Sequence, residues 1–430
     1  MSTESKVTAI IVTYAPSKAI LSDCIDSLRS QTPPVELIII DNFSPSDPNH
    51  EIARSFESES VRVIQSDRNL GFGGAVNTAL KLVDTPFVLI SNFDIVYDPK
   101  YVESALTALE KENGDTVGIA GKTLFYPPDG DKSWPGTGPG DKEKSLGSGT
   151  GAVIDNTGTL VNGLMLAYNR GVGQIDIGQY DKPENDRNPM GACFAAFFAR
   201  KSAFVPISAG GVGLLDTGFF MYYEDIDWCY RANLLGKRII YNPGGVAWHH
   251  HSLTTRDKSL FFKYHLIQRN LYRTIIKNMR FRTFVKLWLL HARFHIRRAR
   301  VERQFLPVTF RILAETPAYL PAGLIKRIPI QNRRKISDTD IVNLSIGEEG
   351  HLDDISLRPK EDLSNPTASL ERLQRFFPEN PANKLIAPLK KAVSEGISEG
   401  IADEILRSAE IDCPALVPLL KRIISKSKVL

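Results

Sequence analysis

Cysteine is scarce in this chain: four in 430 residues, at Cys24, Cys193, Cys229 and Cys413. None forms a CxxC pair and none lies near another in sequence. That argues against a disulfide framework and favours a reducing compartment, with buried thiols as the plain reading. Long apolar runs are missing as well; none approaches the ~20 residues that span a bilayer. The opening MSTESKVTAIIVTY has no basic stretch followed by an apolar one, so no secretory signal is read there. The expectation is a cytosolic protein that can still lie on a membrane. No HExxH is present, no GxGxxG, and no internal repeat. The net charge of +4 is modest, and the apolar and charged fractions are ordinary for a globular protein. The length suits two domains rather than one.

What is present begins as alternating strands and helices. Residues 7–14 (VTAIIVTY) are a β-branched run and 20–28 have helical spacing. Residues 36–41 (ELIIID) and 61–66 are further strand-like runs, 75–83 are helical, and 87–91 (FVLIS) lead into Asn92-Phe93-Asp94. Such units predict an α/β fold with a mainly parallel sheet, whose ligands sit beyond the C-terminal strand ends, where Asp41 and Asp94 fall. Residues 126–188 are rich in Gly, Pro, Asp and Asn and read as an irregular insert around a binding site. From residue 256 the pattern changes. Leu260, Tyr264, Ile267, Leu271 and Ile275 recur at helical spacing, with Lys258, Lys263, Arg269, Arg273 and Lys277 on the other face. Basic residues continue through Arg303. Residues 337–366 are loop-like, and helical segments follow near 370–377, 387–406 and 415–425. The divisions are 1–255, a basic amphipathic helical region at 256–335, and a helical accessory region at 336–430.

Several constellations can carry chemistry, and each has a plainer alternative. Asp94 is a suitable carboxylate for Mg²⁺ or Mn²⁺, and Asp41 for a hydrogen bond from a base or ribose; either can simply end its strand. In the segment DRNLGFGG (67–74), glycines at a helix start let the backbone approach a ligand and leave N–H groups for an anion; the alternative is a turn. Glu224-Asp225-Ile226-Asp227 reads as a helix start in which Asp227 and Arg231 pair. That leaves Asp225 to take a proton from an attacking hydroxyl, unless the motif is only a charged helix start. Of His249, His250 and His251 at most the first and last share a side of a strand, so one metal-binding histidine is weighed against a packed loop. The basic region opposite Phe261, Phe262, Leu266, Phe284 and Trp288 suits an anionic membrane surface better than nucleic acid, since no nucleic-acid module accompanies it. Its alternative is a helix packed on the first domain.

Taken in order, these motifs resemble glycosyltransferase family 2, in particular its bacterial rhamnosyltransferase-like branch, from about residue 8 to residue 253. Thr13-Tyr14 is similar to the family's opening, though Ala15 stands where Asn is usual. Asp41-Asn42 with Ser44 resembles the nucleotide-contacting VDNxS segment. Arg68-Asn69, Gly71-Phe72-Gly73-Gly74 and Asn77 resemble the sugar-nucleotide loop. Asn92-Phe93-Asp94 takes the place of the DxD-type motif. Arg170-Gly171, Asp176 and Gly178 to Asp181 resemble a stretch of this branch, and Gly191-Ala192 its acceptor-side segment. Residues 219–227 with Arg231 match the ED motif.

The resemblance implies a GT-A type nucleotide-binding fold followed by C-terminal helical regions. It implies Thr13, Tyr14, Asp41, Arg68, Asn69, Gly71 and Asn92 as nucleotide-sugar contacts, and Gly191, Ala192 and Glu224 on the acceptor side. Asp225 would be the general base, and Asp94 and His249 would hold a divalent cation, Mg²⁺ or Mn²⁺. The implied reaction is an inverting transfer from a nucleotide-diphosphate sugar, with dTDP-rhamnose the first candidate, to a hydroxyl of a lipid-linked glycan in cell-envelope polysaccharide synthesis. The place expected is the cytoplasm, peripheral on the inner face of the plasma membrane. The alternative, suggested by Ala15 and Asn92-Phe93, is a non-catalytic nucleotide-sugar-binding or scaffolding homologue.

Overall fold

The computed structural model describes residues 5–45, 50–126, 152, 154–172, 176, 178, 180–181, 188–250 and 260–345. The expected helices near 370–377, 387–406 and 415–425, His251 and most of the 126–188 insert lie outside the described residues.

The first βα units fall where the apolar runs place them. They are β1 (Val7–Thr13), α1 (Lys18–Arg29), β2 (Val35–Asp41), α2 (Glu51–Arg54), β3 (Val61–Gln65), α3 (Gly71–Leu80) and β4 (Phe87–Asn92). Then come β5 (Ile95–Tyr97), α4 (Tyr101–Glu110) and β6 (Thr116–Phe125), followed by the short strands β7 (Ile154–Asn156), β8 (Thr159–Val161) and β9 (Ala167–Asn169). β10 (Ala196–Arg200), α5 (Glu224–Leu234) and β11 (Arg238–His249) complete the sheet region. Four helices end the described chain: α6 (Leu260–Asn278), α7 (Phe281–Val301), α8 (Leu306–Asn332) and α9 (Asp338–Ser345).

One sheet has the order β3-β2-β1-β4-β10-β6-β11-β5, with β7 beside β6. β3, β2, β1 and β4 pair in parallel, as do β6 and β11. β10 runs against both β4 and β6, and β5 against β11. The sheet is therefore mixed but mainly parallel, as expected. All seven residues of β1 are buried, the pattern of a central strand covered on both faces. Ala9 and Ile11 join Leu21 and Ile25 of α1 and Val102 and Leu109 of α4 on one side. Ile10 and Val12 join Val76 of α3, Trp228 of α5 and Leu271 and Ile275 of α6 on the other.

The last contact corrects the reading of α6. Leu271 and Ile275 of its apolar stripe are buried as expected, and Arg269, Arg273 and Lys277 of its basic side are turned to protein partners. Lys277 is buried, with Nζ 2.6 Å from Asp216 Oδ2 and 2.8 Å from Asp227 Oδ2. Arg269 Nη2 donates to Phe219 O at 2.7 Å, and Arg273 donates to Gly218 O and stacks over the Tyr319 ring. The physical reason is charge. Asp216 and Asp227 are buried, and buried carboxylates require paired cations. Burial alone would raise the Asp216 pKa; the ammonium groups of Lys277 and Lys326 outweigh it and hold the carboxyl well below its usual range.

A second correction falls at residues 337–366, which read as loop. Asp338–Ser345 is a helix. Ser337 and Asp340 form a reciprocal capping box: Ser337 Oγ accepts from Asp340 N at 3.1 Å and Asp340 Oδ2 accepts from Ser337 N at 2.7 Å. Ile341, fully buried, anchors this helix in the main core. Among the described residues no helix is long and apolar enough to cross a membrane.

Candidate active site

The parallel register sets the first group of residues. Thr13 lies opposite Asp41 across β1–β2, and Val12 lies opposite Asn92 across β1–β4. All three sites therefore share the C-terminal edge. Thr13 Oγ1 donates to Asp41 Oδ1 at 3.3 Å, and His50 Nδ1 lies 2.7 Å from Asp41 Oδ2. His50 is a member that sequence reasoning missed, because no spacing or motif points to it. Tyr14 is half-buried beside this edge. Ala15, exposed, has φ 48°, a left-handed conformation that Asn tolerates better than Ala.

The glycine loop is built differently from the expectation of free N–H groups. Leu70 N donates to Asn42 Oδ1 at 2.7 Å, Gly71 N to Asn69 Oδ1 at 2.8 Å, and Phe72 N to Phe220 O at 2.9 Å. Three amides at the start of α3 are thus already engaged. The glycine instead allows close packing: a Cβ on Gly71, whose φ is +70°, would fall 2.2 Å from Phe220 O. Asn69 holds the loop from within, since its Oδ1 also accepts from Asn42 Nδ2 at 3.1 Å. Arg68 stands exposed at the tip. Asn77 pins α3 to the distant stretch ahead of α5 by two bonds to the Leu215 backbone, at 2.8 and 3.1 Å.

A second group gathers around β11. β5 pairs with β11 so that Ile95 lies opposite His249, which carries Asp94 to the histidine. His249 Nε2 is 3.4 Å from Asp94 Oδ1, and Nδ1 is 2.9 Å from Asp155 Oδ2 on β7. Burial alone would lower the imidazole pKa; the two carboxylates outweigh it and raise it to about 10. Asp155 was not legible in sequence, being one acid among many in the irregular insert. His250 turns elsewhere and stacks on Tyr126, with ring centroids 3.7 Å apart. Asp176 and Asp181 hold the buried Lys122 at 2.8 and 2.7 Å, and Arg170 lies over the Tyr180 and Tyr241 rings. Among the described residues no group of three or more His, Cys, Asp or Glu is arranged to hold a metal ion.

The third group opens α5. Asp227 is fully buried and pairs with Arg231 Nε at 3.2 Å, as the four-residue spacing predicts. Glu224 is buried and its Oε2 has no hydrogen-bond partner, which is not how a solvated helix start is built. Asp225 is half-buried, with Oδ1 accepting from Ile226 N at 2.8 Å. Burial raises the pKa of both Glu224 and Asp225, and the neighbouring Asp225 charge raises that of Glu224 further. Gly191 packs against α5: a Cβ there would meet Cys229 Cβ at 2.6 Å, and Cys229 Sγ contacts Ala192 O at 3.8 Å. Cys193 follows at once. Burial first, then the carboxylates of Asp225, Asp155 and Glu224, push its thiol pKa well up.

A mainly parallel sheet with acids at its strand ends, faced by a helix that opens on a carboxylate pair, agrees with the GT-A type fold that the sequence resemblance implies. Residues 8–170 match the family model described as Glycosyl transferase family 2. It is 25% identical over 259 residues to N-acetylglucosaminyl-diphospho-decaprenol L-rhamnosyltransferase of Mycobacterium tuberculosis, in two strains, which covers 57% of this chain and 76% of the relative. Glycosyltransferase activity is what family and relative support. Solved structures of similar shape include GalNAc-T7 with UDP, GalNAc and Mn²⁺ (TM-score 0.46, 13% identity, 63% of this chain and 48% of that one). Another is the mannosyltransferase PcManGT from Pyrobaculum calidifontis with GDP-Man and Mn²⁺ (TM-score 0.40, 13% identity, 82% of this chain and 89% of that one).

The contact between the glycine loop and Phe220 is directly testable. Gly71→Ala adds a Cβ against a backbone oxygen at a positive φ, and should destabilise the protein by about 2 kcal/mol in chemical unfolding. It should also lower glycosyl transfer. Wild-type stability and turnover in this variant would show that the loop does not rest on Phe220.

Proposed function

We propose that the protein is an inverting glycosyltransferase that moves a sugar, with dTDP-rhamnose the first donor to try, from a nucleotide diphosphate to a hydroxyl of a lipid-linked glycan. The observations that carry this reading are a half-buried Asp225 beside the buried Glu224 at the start of α5, and the Asp94–His249–Asp155 group at the end of β11. Asp225 takes the acceptor's proton while the acceptor oxygen forms its bond to the anomeric carbon. The bond from that carbon to the diphosphate breaks, and the diphosphate leaves with the electron pair. Thr13, Tyr14, Asp41 and Asn92 line the edge that would receive the nucleotide. Arg68 offers a cation at the loop tip, shaped by Asn69 and Gly71, and Gly191, Ala192 and Glu224 border the acceptor side. Positioning of two bound substrates would supply much of the rate.

A divalent cation, Mg²⁺ or Mn²⁺, fits the residues present. Asp94 and His249 turn donor atoms toward one another, and Asp155 on the other ring nitrogen orients the imidazole as such partners do at metal sites. With two protein donors, coordination positions remain for diphosphate oxygens. The ion's chemistry would be to offset charge on the departing diphosphate.

The test is transfer measured across a panel of nucleotide-diphosphate sugars, with Mn²⁺ and after chelation. Asp225→Asn should lower transfer by about 10²–10⁴-fold with donor binding retained. In the native protein the acid limb of the pH profile should lie above the ~4 of an ordinary aspartate, because the base must be ionised and its pKa is raised. Unchanged transfer by Asp225→Asn removes the base. Donor binding without turnover in the native protein would favour the scaffolding alternative.

The lipid-linked acceptor gives a reason for membrane contact, and the surface that suits it is the outer side of α7 and α8. Phe281, Leu289, Ile296 and Val301 on α7 and Phe310 and Ile325 on α8 are exposed. Arg282, Lys286, Arg293, Arg297 and Arg300 are exposed among those of α7, which contains no acidic residue. Apolar and cationic groups on one face suit an anionic bilayer at the inner side of a plasma membrane. The full chain should sediment with phosphatidylglycerol vesicles and not with phosphatidylcholine vesicles, and Phe281→Ser with Phe310→Ser should release it. Equal sedimentation by native and double variant would place the contact elsewhere.

A further inference from the structure

The segment before the ED helix carries unusual backbone. Met221 N donates to Phe219 O at 2.8 Å across Phe220, whose φ and ψ are 67° and −60°. That is a γ-turn with positive φ at its centre, the rarer and more strained form. Tyr222 and Tyr223 follow with φ 67° and 69°. Three non-glycine residues in this region, directly before Glu224 and Asp225, persist only if the surroundings over-determine them.

What over-determines them is Asn270 in α6, fully buried. The two N–H groups of its Nδ2 are shared among Phe219 O at 3.0 Å, Met221 O at 2.8 Å and Tyr222 O at 2.7 Å. The amide cannot turn over without loss, because Oδ1 accepts from Arg269 Nε at 3.0 Å. Arg269 in turn donates to Phe219 O. Within the same strained turn, Phe220 O is the acceptor for Phe72 N of the glycine loop. One side chain of a helix beyond the family-matched segment thus gathers three carbonyls of the turn that leads to the base and touches the donor loop.

We propose that Asn270 is a positioning residue for glycosyl transfer: it holds residues 219–223 in their left-handed path so that Asp225 meets the acceptor hydroxyl. This rests on the reading of Asp225 as the base. Asn270→Asp keeps the shape and the bond from Arg269 but sets a carboxylate against the three carbonyls. Asn270→Ser retains one donor, and Arg269→Gln removes the bond to Asn270 Oδ1 together with one donor to Phe219 O.

The experiment compares kcat, donor KM, the pH profile and thermal unfolding for these variants with Asp225→Asn in parallel. Asn270→Asp should lower kcat about 100-fold, the scale of a misplacement near 1 Å. Donor KM should change less than about threefold, and the acid limb should move as the carboxyl's surroundings change. Asn270→Ser and Arg269→Gln should fall between it and the native protein. Folded variants with a lowered melting temperature but native kcat and pH profile would overturn the proposal; if Asn270→Asp does not fold, the same outcome in Asn270→Ser does so. If Asp225→Asn itself transfers normally, it is the base reading that fails. If only Asp225→Asn is impaired, it is the positioning role.

Discussion

Two buried carboxylates, Asp216 ahead of α5 and Asp227 within it, require paired cations, and two of these come from helices that follow the sheet in sequence. Lys277 of α6 bridges both, Lys326 of α8 joins Asp216, and Arg231 joins Asp227 from within α5. Removing one partner from such a cluster leaves an uncompensated charge, which costs several kcal/mol. α6 is therefore held against the sheet region by electrostatics as well as by Leu271 and Ile275. With α6 fixed, Asn270 stands under the turn at residues 219–223, and that turn in turn supports Gly71 and delivers Asp225. The order of dependence runs from buried charge to helix placement to backbone strain to site.

Much of this was legible in the chain itself. Apolar runs placed β1 to β4 and their parallel pairing, because strands buried on both faces read as continuous hydrophobic stretches. Asp94 and His249, far apart in sequence, do meet, and Asp227 and Arg231 pair as their spacing requires. What was not legible depends on tertiary contact. Asp155 and His50 have no motif, and only the fold brings them to His249 and Asp41. The basic side of α6 gave a misleading signal: helical periodicity shows which residues share a face, not what that face meets. The glycine loop misled in a similar way, since glycine permits approach both to a ligand and to another backbone, and here it is Phe220.

The site divides labour between a rigid edge and a strained one. Thr13, Asp41 and Asn92 sit on paired strands. Asp94 and His249 are held by β5–β11 pairing, and Asp155 keeps the ring from turning. Asp225, by contrast, rides on a helix whose first turn is preceded by left-handed residues. Burial lifts its pKa toward the range in which a carboxylate both exists as the anion and accepts a proton readily. On the proposed reading, a base with those properties would serve a single displacement rather than a double one.

The anomeric configuration of the transferred sugar tests that claim most directly. With a donor of known anomer, the coupling constants of the product's anomeric proton and carbon report the outcome by NMR. Inversion is the result expected of one in-line displacement with Asp225 as base. Retention would contradict it, because one in-line displacement by a deprotonated hydroxyl inverts the anomeric carbon.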